Sequence, residues 1–520
     1  MRSITSPSTS SSTTIRDRAV HISPGLKEHA PAAAIRFGSS EEPKVRRRCG
    51  HWMLKEWVSG SCHDGFVGYS SWVSLSLVDR TEALSHYRQL VRIPTISRVD
   101  ESTTDWTSFV AVVDGLPVMY PAIHAALPRE IVAGYSMIYR WRGRRSDAPS
   151  VLMAHYDVVS ATADGWSYPP FDATVVGDDL SGTLCGRGSI DDKASMTGLL
   201  EAVELLVSEG FRPDNDVYLA FSHNEEVLGD GTPTMVEWFR GRGIVPAFVL
   251  DEGGIVGESI FPGVSQQHIF VGVGEKGTLT FELLTRGKGG HASVPPSATA
   301  TVRLAEAILR VSHVDFPPEL NAETRGLISL LGEHSNGVMR RSAEALQSDP
   351  EWAAELFASI SDEANAMTRT TPVVTSLSGS HAVNALPELA TAAVNTRVAV
   401  GTTARRVFDR LVLPLSDLGV ESRMIESFDP PPVSPSTGRA WDLLRDTIAA
   451  TYGTQLIVPY INNGGTDSRN YAGLTGFVYR FNPYEMTLQE RRAIHAIDER
   501  LPLPSFYTGC DFYCRLISKL

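Results

Sequence analysis

VLMAHYDVVS at 151–160 and CGRGSIDDK at 185–193, joined by a polar loop, decide the fold of this 520-residue chain. Residues 151–154 form a short apolar run, the pattern of a strand buried on both faces of a doubly wound sheet. His155 and Asp157 follow at its C-terminal end, where open α/β sheets place their ligands. Residues two apart in an extended chain point to one face, so the two side chains can act together. The pair suits a metal-binding imidazole whose tautomer is fixed by a carboxylate behind it. On this fragment alone a hydrogen-bonded core histidine beside a turn aspartate is the stronger reading, and the flanking sequence changes that.

Working outward, the spacing predicts helices over 82–91, 109–127 and 194–206. Short strands are expected over 137–141, 217–222 and 247–250. Leu199, Leu200, Val203 and Leu206 share one helical face, and Gly210 is a natural stop. Strands alternating with helices define an α/β fold with a mostly parallel sheet. From about residue 276 the texture changes to a separate α+β set, with strands over 279–284 and 390–398 and helices over 302–311 and 404–411. The proline-rich FDPPPVSPS at 428–436 returns the chain to the α/β pattern, with a late strand over 477–481. The expected organisation is an irregular or disordered extension at 1–75, a catalytic domain from 76–275 and 428–520, and an inserted domain at 276–427. A helical excursion is expected between 320 and 370.

The first fourteen positions include ten Ser or Thr, a composition that cannot build a core. A net charge of −13 excludes a general nucleic-acid binder, which needs basic surface. Arg46, Arg47 and Arg48 form the single basic run, and a solvated tail explains it. Five cysteines without metal-finger spacing argue against a disulfide framework and for a reducing compartment, so the expected location is cytoplasmic. No window approaches the ~20 consecutive apolar residues of a membrane helix, and no secretory leader is evident.

Further acidic and imidazole groups recur at predicted strand ends: Asp191 and Asp192 in GRGSIDDK, Glu225 and Glu226 in HNEE, Asp251 and Glu252 in VLDEGG, and His495 in AIHAIDE. Singly, each acidic pair reads as a helix cap or a solvated loop. Together they form the nitrogen-and-oxygen donor set that zinc, or less often manganese or cobalt, prefers. The glycines in GRGS and GGH fit neither GxxxxGK[ST] nor GxGxxG, which weakens nucleotide binding. No GxSxG elbow surrounds Ser189 or Ser222, which weakens a serine hydrolase.

The stretches MAHYDVV, WSYPPFDA, GRGSIDDK, HNEEVLGDG, VLDEGG, GGHAS, NALPELATAAVNTRV, GGTDSR and IHAIDE resemble, in order, those of the M20 zinc peptidase and aminoacylase family. The flavour is that of its carboxypeptidase S and N-acyl-amino-acid hydrolase branch. The resemblance implies a zinc-peptidase catalytic domain with an inserted lid or dimerisation domain, and two zinc ions per chain. His155 would bind one metal with Asp157 holding its imidazole, Asp191 would bridge both, and Glu226 and His495 would bind the second. Asp251 would complete the first site, with Glu252 the alternative in register. Glu225 would be the general base and His291 would bind the oxyanion, sometimes from a partner subunit. Asn384, Arg397 and Arg469 would hold the substrate carboxylate, with Asp467 in a supporting place.

The expected activity is hydrolysis of the amide bond of a small peptide or an N-acyl amino acid. The expected partners are that small substrate and a second copy through the lid, without nucleic acid or membrane. The alternative from another class is a non-catalytic metal-binding or assembly protein that kept the fold. Loss of Glu225 or Asp191 would have favoured it, and both are present.

Overall fold

The computed structural model describes residues 77–257, 261–264, 268–453 and 455–520. The expected extension at 1–75, with its arginine run and Cys49 and Cys62, lies outside them. Strand Arg145–His155 sits inside a nine-stranded sheet. Its neighbours on one side are Asn215–Ser222, Ser136–Trp141 and Arg129–Val132. On the other side lie Phe248–Asp251, Val478–Arg480, His268–Glu275 and Leu456–Asn462, and Ile255–Gly257 pairs off the path.

Leu152 and Ala154 turn to one apolar core with Val217, Leu219 and Phe221. Val151 and Met153 turn to a second core with Tyr218 and Ala220. Helices Lys193–Ser208 and Leu503–Ile517 contribute Leu199, Val203, Phe506 and Phe512 to the first core, and helix Gly231–Gly241 contributes Met235 and Phe239 to the second. Burial on both faces is why these strands read as runs rather than as alternations. The centre of the sheet is parallel, as expected, from Asn215–Ser222 through Arg145–His155 and Phe248–Asp251 to Val478–Arg480. Antiparallel pairs at Arg129–Val132, Ser136–Trp141 and Ile255–Gly257 make the whole sheet mixed.

The expected helix over 109–127 is two helices, Trp106–Met119 and Pro121–Ala126. Proline disfavours helical backbone at the residue before it, and Tyr120 accordingly leaves the helix at φ −128 and ψ 67. Strands His268–Glu275 and Leu456–Asn462 escape the sequence reading.

A second sheet of four antiparallel strands runs in the order Thr371–Ser378, Leu389–Val398, Gly277–Arg286, Glu421–Phe428. Helices Ala300–Ser312 and Ala404–Val412 cover one face, burying Leu279, Phe281, Leu283, Val394 and Val407 in a core of its own. By strand alternation the opposite face carries Thr278, Thr280, Asn395 and Arg397. The helical excursion does not pack here. Leu327, Ile328, Leu331 and Phe357, from Ala322–Glu333 and Pro350–Ala358, join the large sheet's core although chain order places them within 276–427. No helix among the described residues is long and apolar enough to cross a membrane.

Lys276 links the two sheets, between His268–Glu275 and Gly277–Arg286. Its Nζ donates to the carbonyls of Ala366 and Arg369, both at 2.8 Å, and lies 3.1 Å from Thr371 Oγ1, a hydroxyl that can donate to the neutral amine. Burial, and then Arg397, push this amine down to about 7. Between pH ~7 and ~10 the unfolded chain therefore binds more protons at this site than the folded chain, and stability rises with pH across that window. Lys276→Met is expected to flatten this rise in denaturant unfolding measured from pH 7 to 10. An unchanged pH slope would contradict a neutral buried amine.

Candidate functional site

His155 ends its strand with its ring buried against three carboxylates. Nδ1 lies 3.1 Å from the Asp157 carbonyl and 3.3 Å from Asp157 Oδ1, while Nε2 lies 2.8 Å from Asp191 Oδ1 and 3.5 Å from Glu252 Oε1. Asp157, fully buried, accepts hydrogen bonds from Ser97 Oγ at 2.6 Å and from the backbone N–H groups of Glu225 and Glu226, both at 3.1 Å. One carboxylate thus fixes both the imidazole and the Glu225–Glu226 turn. Asp191 reaches the other way with Oδ2, 3.0 Å from His495 Nε2, which lies 3.1 Å from Glu226 Oε2.

The result is two groups, His155–Asp191–Glu252 and Asp191–Glu226–His495, each with donor atoms within 4.8 Å of one another. Asp191 belongs to both. Glu252 takes the place expected of Asp251. Asp251 is the last residue of its strand, and its Oδ2 accepts from Ser468 N at 2.8 Å. Glu252, one residue on, leaves from the opposite face and reaches His155 with a side chain one methylene longer.

The electrostatics of both groups favour a cation. Burial opposes a charged His155, yet hydrogen bonds to Asp157, Asp191 and Glu252 hold its pKa well above the usual imidazole range. Hydrogen bonds to Asp191 and Glu226 raise His495 to about 10. Burial, and then the Asp191 charge, push Glu252 up to about 8. Burial also raises Glu225 well above the carboxylate range, with Asp467, Glu252 and Glu226 adding to it against His155. Glu226 Oε1 is inaccessible and has no hydrogen-bond partner. Carboxylates that draw protons onto two imidazoles, and a buried oxygen left over, suit a divalent cation with nitrogen and oxygen ligands.

Glu499 secures this geometry, a role the sequence reading did not assign. Its carboxylate accepts from Arg187 Nη1 at 2.6 Å and from the backbone N–H groups of Gly188, Ile190 and Asp191 at 3.0, 2.7 and 3.2 Å. It therefore ties the Asp191 loop to the His495 loop. Asp498 anchors the same loop by accepting from Ser167 N and Oγ at 2.7 and 2.8 Å. His495 and Asp498 hold φ of 61 and 59, a left-handed backbone uncommon for non-glycine residues that the contacts of this loop must sustain. IHAIDE contained the signal, since its acidic residues fall three and four positions after the histidine.

Arg397 lies on the open face of the four-stranded sheet and donates to Thr278 Oγ1 at 3.1 Å. Burial depresses it, while the Glu225 and Glu275 carboxylates pull it back up. Arg469 donates to the Thr466 carbonyl at 2.6 Å and lies 4.7 Å from the Phe428 ring centroid. Buried Asp467 accepts from Thr232 Oγ1 at 2.7 Å. His291 and Asn384 are brought together elsewhere, both exposed. His291 sits on a two-stranded ribbon with Ala385, and Ala292 N donates to the Asn384 carbonyl at 2.9 Å. Among the described residues no hydrogen bond or ion pair joins either to the carboxylate cluster.

His155, Glu226 and Glu252 follow parallel strands of the large sheet, and loops bring Asp191 and His495 to them, an arrangement that fits a metal-dependent hydrolase. Residues 151–519 match peptidase family M20/M25/M40, and the chain belongs to that family. It is 32% identical over 495 residues to a probable carboxypeptidase S-like 2 of Dictyostelium discoideum, covering 93% of this chain and 90% of the relative. It is 30% identical over 439 residues to the N-fatty-acyl-amino acid synthase/hydrolase PM20D1 of Homo sapiens, covering 82% and 86%. The fold matches an M20 family metallo-carboxypeptidase from Sulfolobus solfataricus with a TM-score of 0.63 at 17% identity, covering 84% of this chain and 98% of that one. Human carnosine dipeptidase 1 matches with a TM-score of 0.64 at 12% identity, covering 85% and 96%.

Removing the Glu499 carboxylate would leave buried Arg187 without a counter-charge, with only the Ala496 carbonyl and the Trp166 ring beside it. Glu499→Ala is expected to cost ~3–5 kcal/mol in unfolding free energy. It should also weaken metal uptake in equilibrium dialysis. Wild-type values for both would contradict the clamp.

Proposed function

We propose that the chain hydrolyses the amide bond of small peptides or N-acyl amino acids that carry a free C-terminal carboxylate, with two zinc ions per chain. The observation that carries the reading is the pair of three-residue groups sharing Asp191. His155 and Glu252 would hold one ion and Glu226 and His495 the other, with Asp191 common to both. Cations bound there would acidify water and polarise the scissile carbonyl. Cobalt or manganese would serve the same donor set.

The chain's own groups do the rest. Asp157 keeps the His155 proton on Nδ1 and leaves Nε2 free to bind. Glu225, placed by the same carboxylate but not a member of either group, takes the proton of the attacking water and returns it to the leaving nitrogen. Arg397 and Arg469 bind the substrate carboxylate, a reading that the Glu225 carboxylate's pull on the Arg397 guanidinium supports. The relatives' names, carboxypeptidase S-like and N-fatty-acyl-amino acid synthase/hydrolase, support both substrate classes.

The lid is the part of 276–427 built on the four-stranded sheet. His291 and Asn384, exposed together on its ribbon, would complete an active site by lid closure or from a second copy in a homodimer. Buried free thiols at Cys185, Cys510 and Cys514 support a cytoplasmic location.

Glu225→Ala is expected to lower kcat at least ~100-fold while metal content stays at the wild-type level. His155→Ala should lose metal and activity together. Both variants are read by metal analysis and by hydrolysis of a panel of dipeptides and N-acyl amino acids. Normal hydrolysis by Glu225→Ala would overturn the assignment of the base.

A further inference from the structure

The two arginines assigned to the substrate carboxylate share their surroundings with a carboxylate of the protein itself. On the open face of the four-stranded sheet, Thr278 stands opposite Arg397 on one side and Phe428 on the other. Thr280, two residues on, stands opposite Asn395 and Glu426. Glu426 and Phe428 share a face, and the Arg469 guanidinium lies over the Phe428 ring. Glu426 is therefore next to Arg469 and diagonal to Arg397 across the central strand.

An irregularity in the strand puts it there. The register shifts between Thr280 and Phe281, so Met424 packs on the apolar core while Glu426 turns to the open face. With unbroken alternation Glu426 and Met424 would point the same way. Burial raises the Glu426 carboxyl, and Arg469 and then Arg397 draw it back down, so both guanidinium fields reach it. Among the described residues no direct ion pair locks Glu426 to either arginine, which leaves both able to meet a substrate anion.

We infer that Glu426 is a specificity-determining residue that restricts the site to released amino acids with a single carboxylate, turning away aspartyl and glutamyl side chains. The inference rests on the assignment of Arg397 and Arg469 proposed above. Glu426 sets one fixed negative charge beside the two guanidinium groups, so a first substrate carboxylate can pair with the arginines. A second substrate carboxylate entering beside the first meets Glu426, and like charges placed together at a binding site discriminate strongly. The Glu282–Arg423 pair further along the same sheet is already neutral and offers the second anion no alternative.

The test compares kcat/KM for N-dodecanoyl-leucine and N-dodecanoyl-glutamate in the wild type, Glu426→Gln, Glu426→Asp and Arg469→Met. The wild type should favour the leucine compound by about tenfold or more. Glu426→Gln should raise the glutamate-to-leucine ratio by about tenfold, and Glu426→Asp, which keeps the charge, should leave it within about threefold of wild type. An unchanged ratio in Glu426→Gln overturns the inference. Arg469→Met separates this failure from failure of the parent reading. A raised KM for both compounds keeps the arginine assignment standing, whereas an unchanged KM for both removes that assignment and the role of Glu426 with it.

Discussion

Several carboxylates gathered around two imidazoles, with donor atoms in each group within 4.8 Å of one another, set the terms for the rest of this molecule. Asp191, Glu226 and Glu252 meet around two imidazoles, with Glu225 and Asp192 beside them, and burial raises most of these carboxyls. Buried charge is costly unless it is paired or bound to a cation. Asp191 is the exception that orders the cluster. Burial opposes its charge, but hydrogen bonds to His155 and His495 hold it well below the usual carboxylate range. Its two oxygens serve two different imidazoles, so the two halves of the site share one group.

Holding such a cluster together takes rigid support, and the fold supplies it from several directions. His155 and Glu252 come from adjacent strands of the central parallel region, while Glu225 and Glu226 follow a third. Asp157 couples the first and third by accepting from both backbone N–H groups of the glutamate pair. Glu499, far away in sequence, couples the Asp191 loop to the His495 loop and keeps Arg187 neutralised in the core. Lys276 and the buried Arg480–Glu275 pair stand where the large sheet passes into the four-stranded one, so Arg397 is referenced to the same frame as the carboxylate cluster.

Much of this was legible because burial on both faces writes a strand as a run. Residues 151–154, 217–222 and 247–250 were placed that way, and their C-terminal ends marked the site. His268–Glu275 was not placed, because GVGE dilutes the apolar pattern with glycine. Leu456–Asn462 was missed because Pro459 interrupts it, which its edge position tolerates. Periodicity could not tell that helices Ala322–Glu333 and Pro350–Ala358 pack on the large sheet, since an apolar helical face does not name its partner. The choice between Asp251 and Glu252 turned on where the strand ends, a matter of one residue that sequence patterns do not fix. Glu499 was hidden for a different reason. Its place four residues after His495 is visible in IHAIDE, but the backbone N–H groups it accepts from, at 188–191, lie over 300 residues away and nothing in the sequence pairs the two loops.

Zinc stoichiometry on the purified Asp191→Asn variant reads out whether one aspartate serves both proposed cation sites. The account predicts about two ions per wild-type chain, and in the variant loss of tight binding at both sites together. Retention of one full-affinity ion by Asp191→Asn would show that Asp191 serves a single site and would contradict the shared centre.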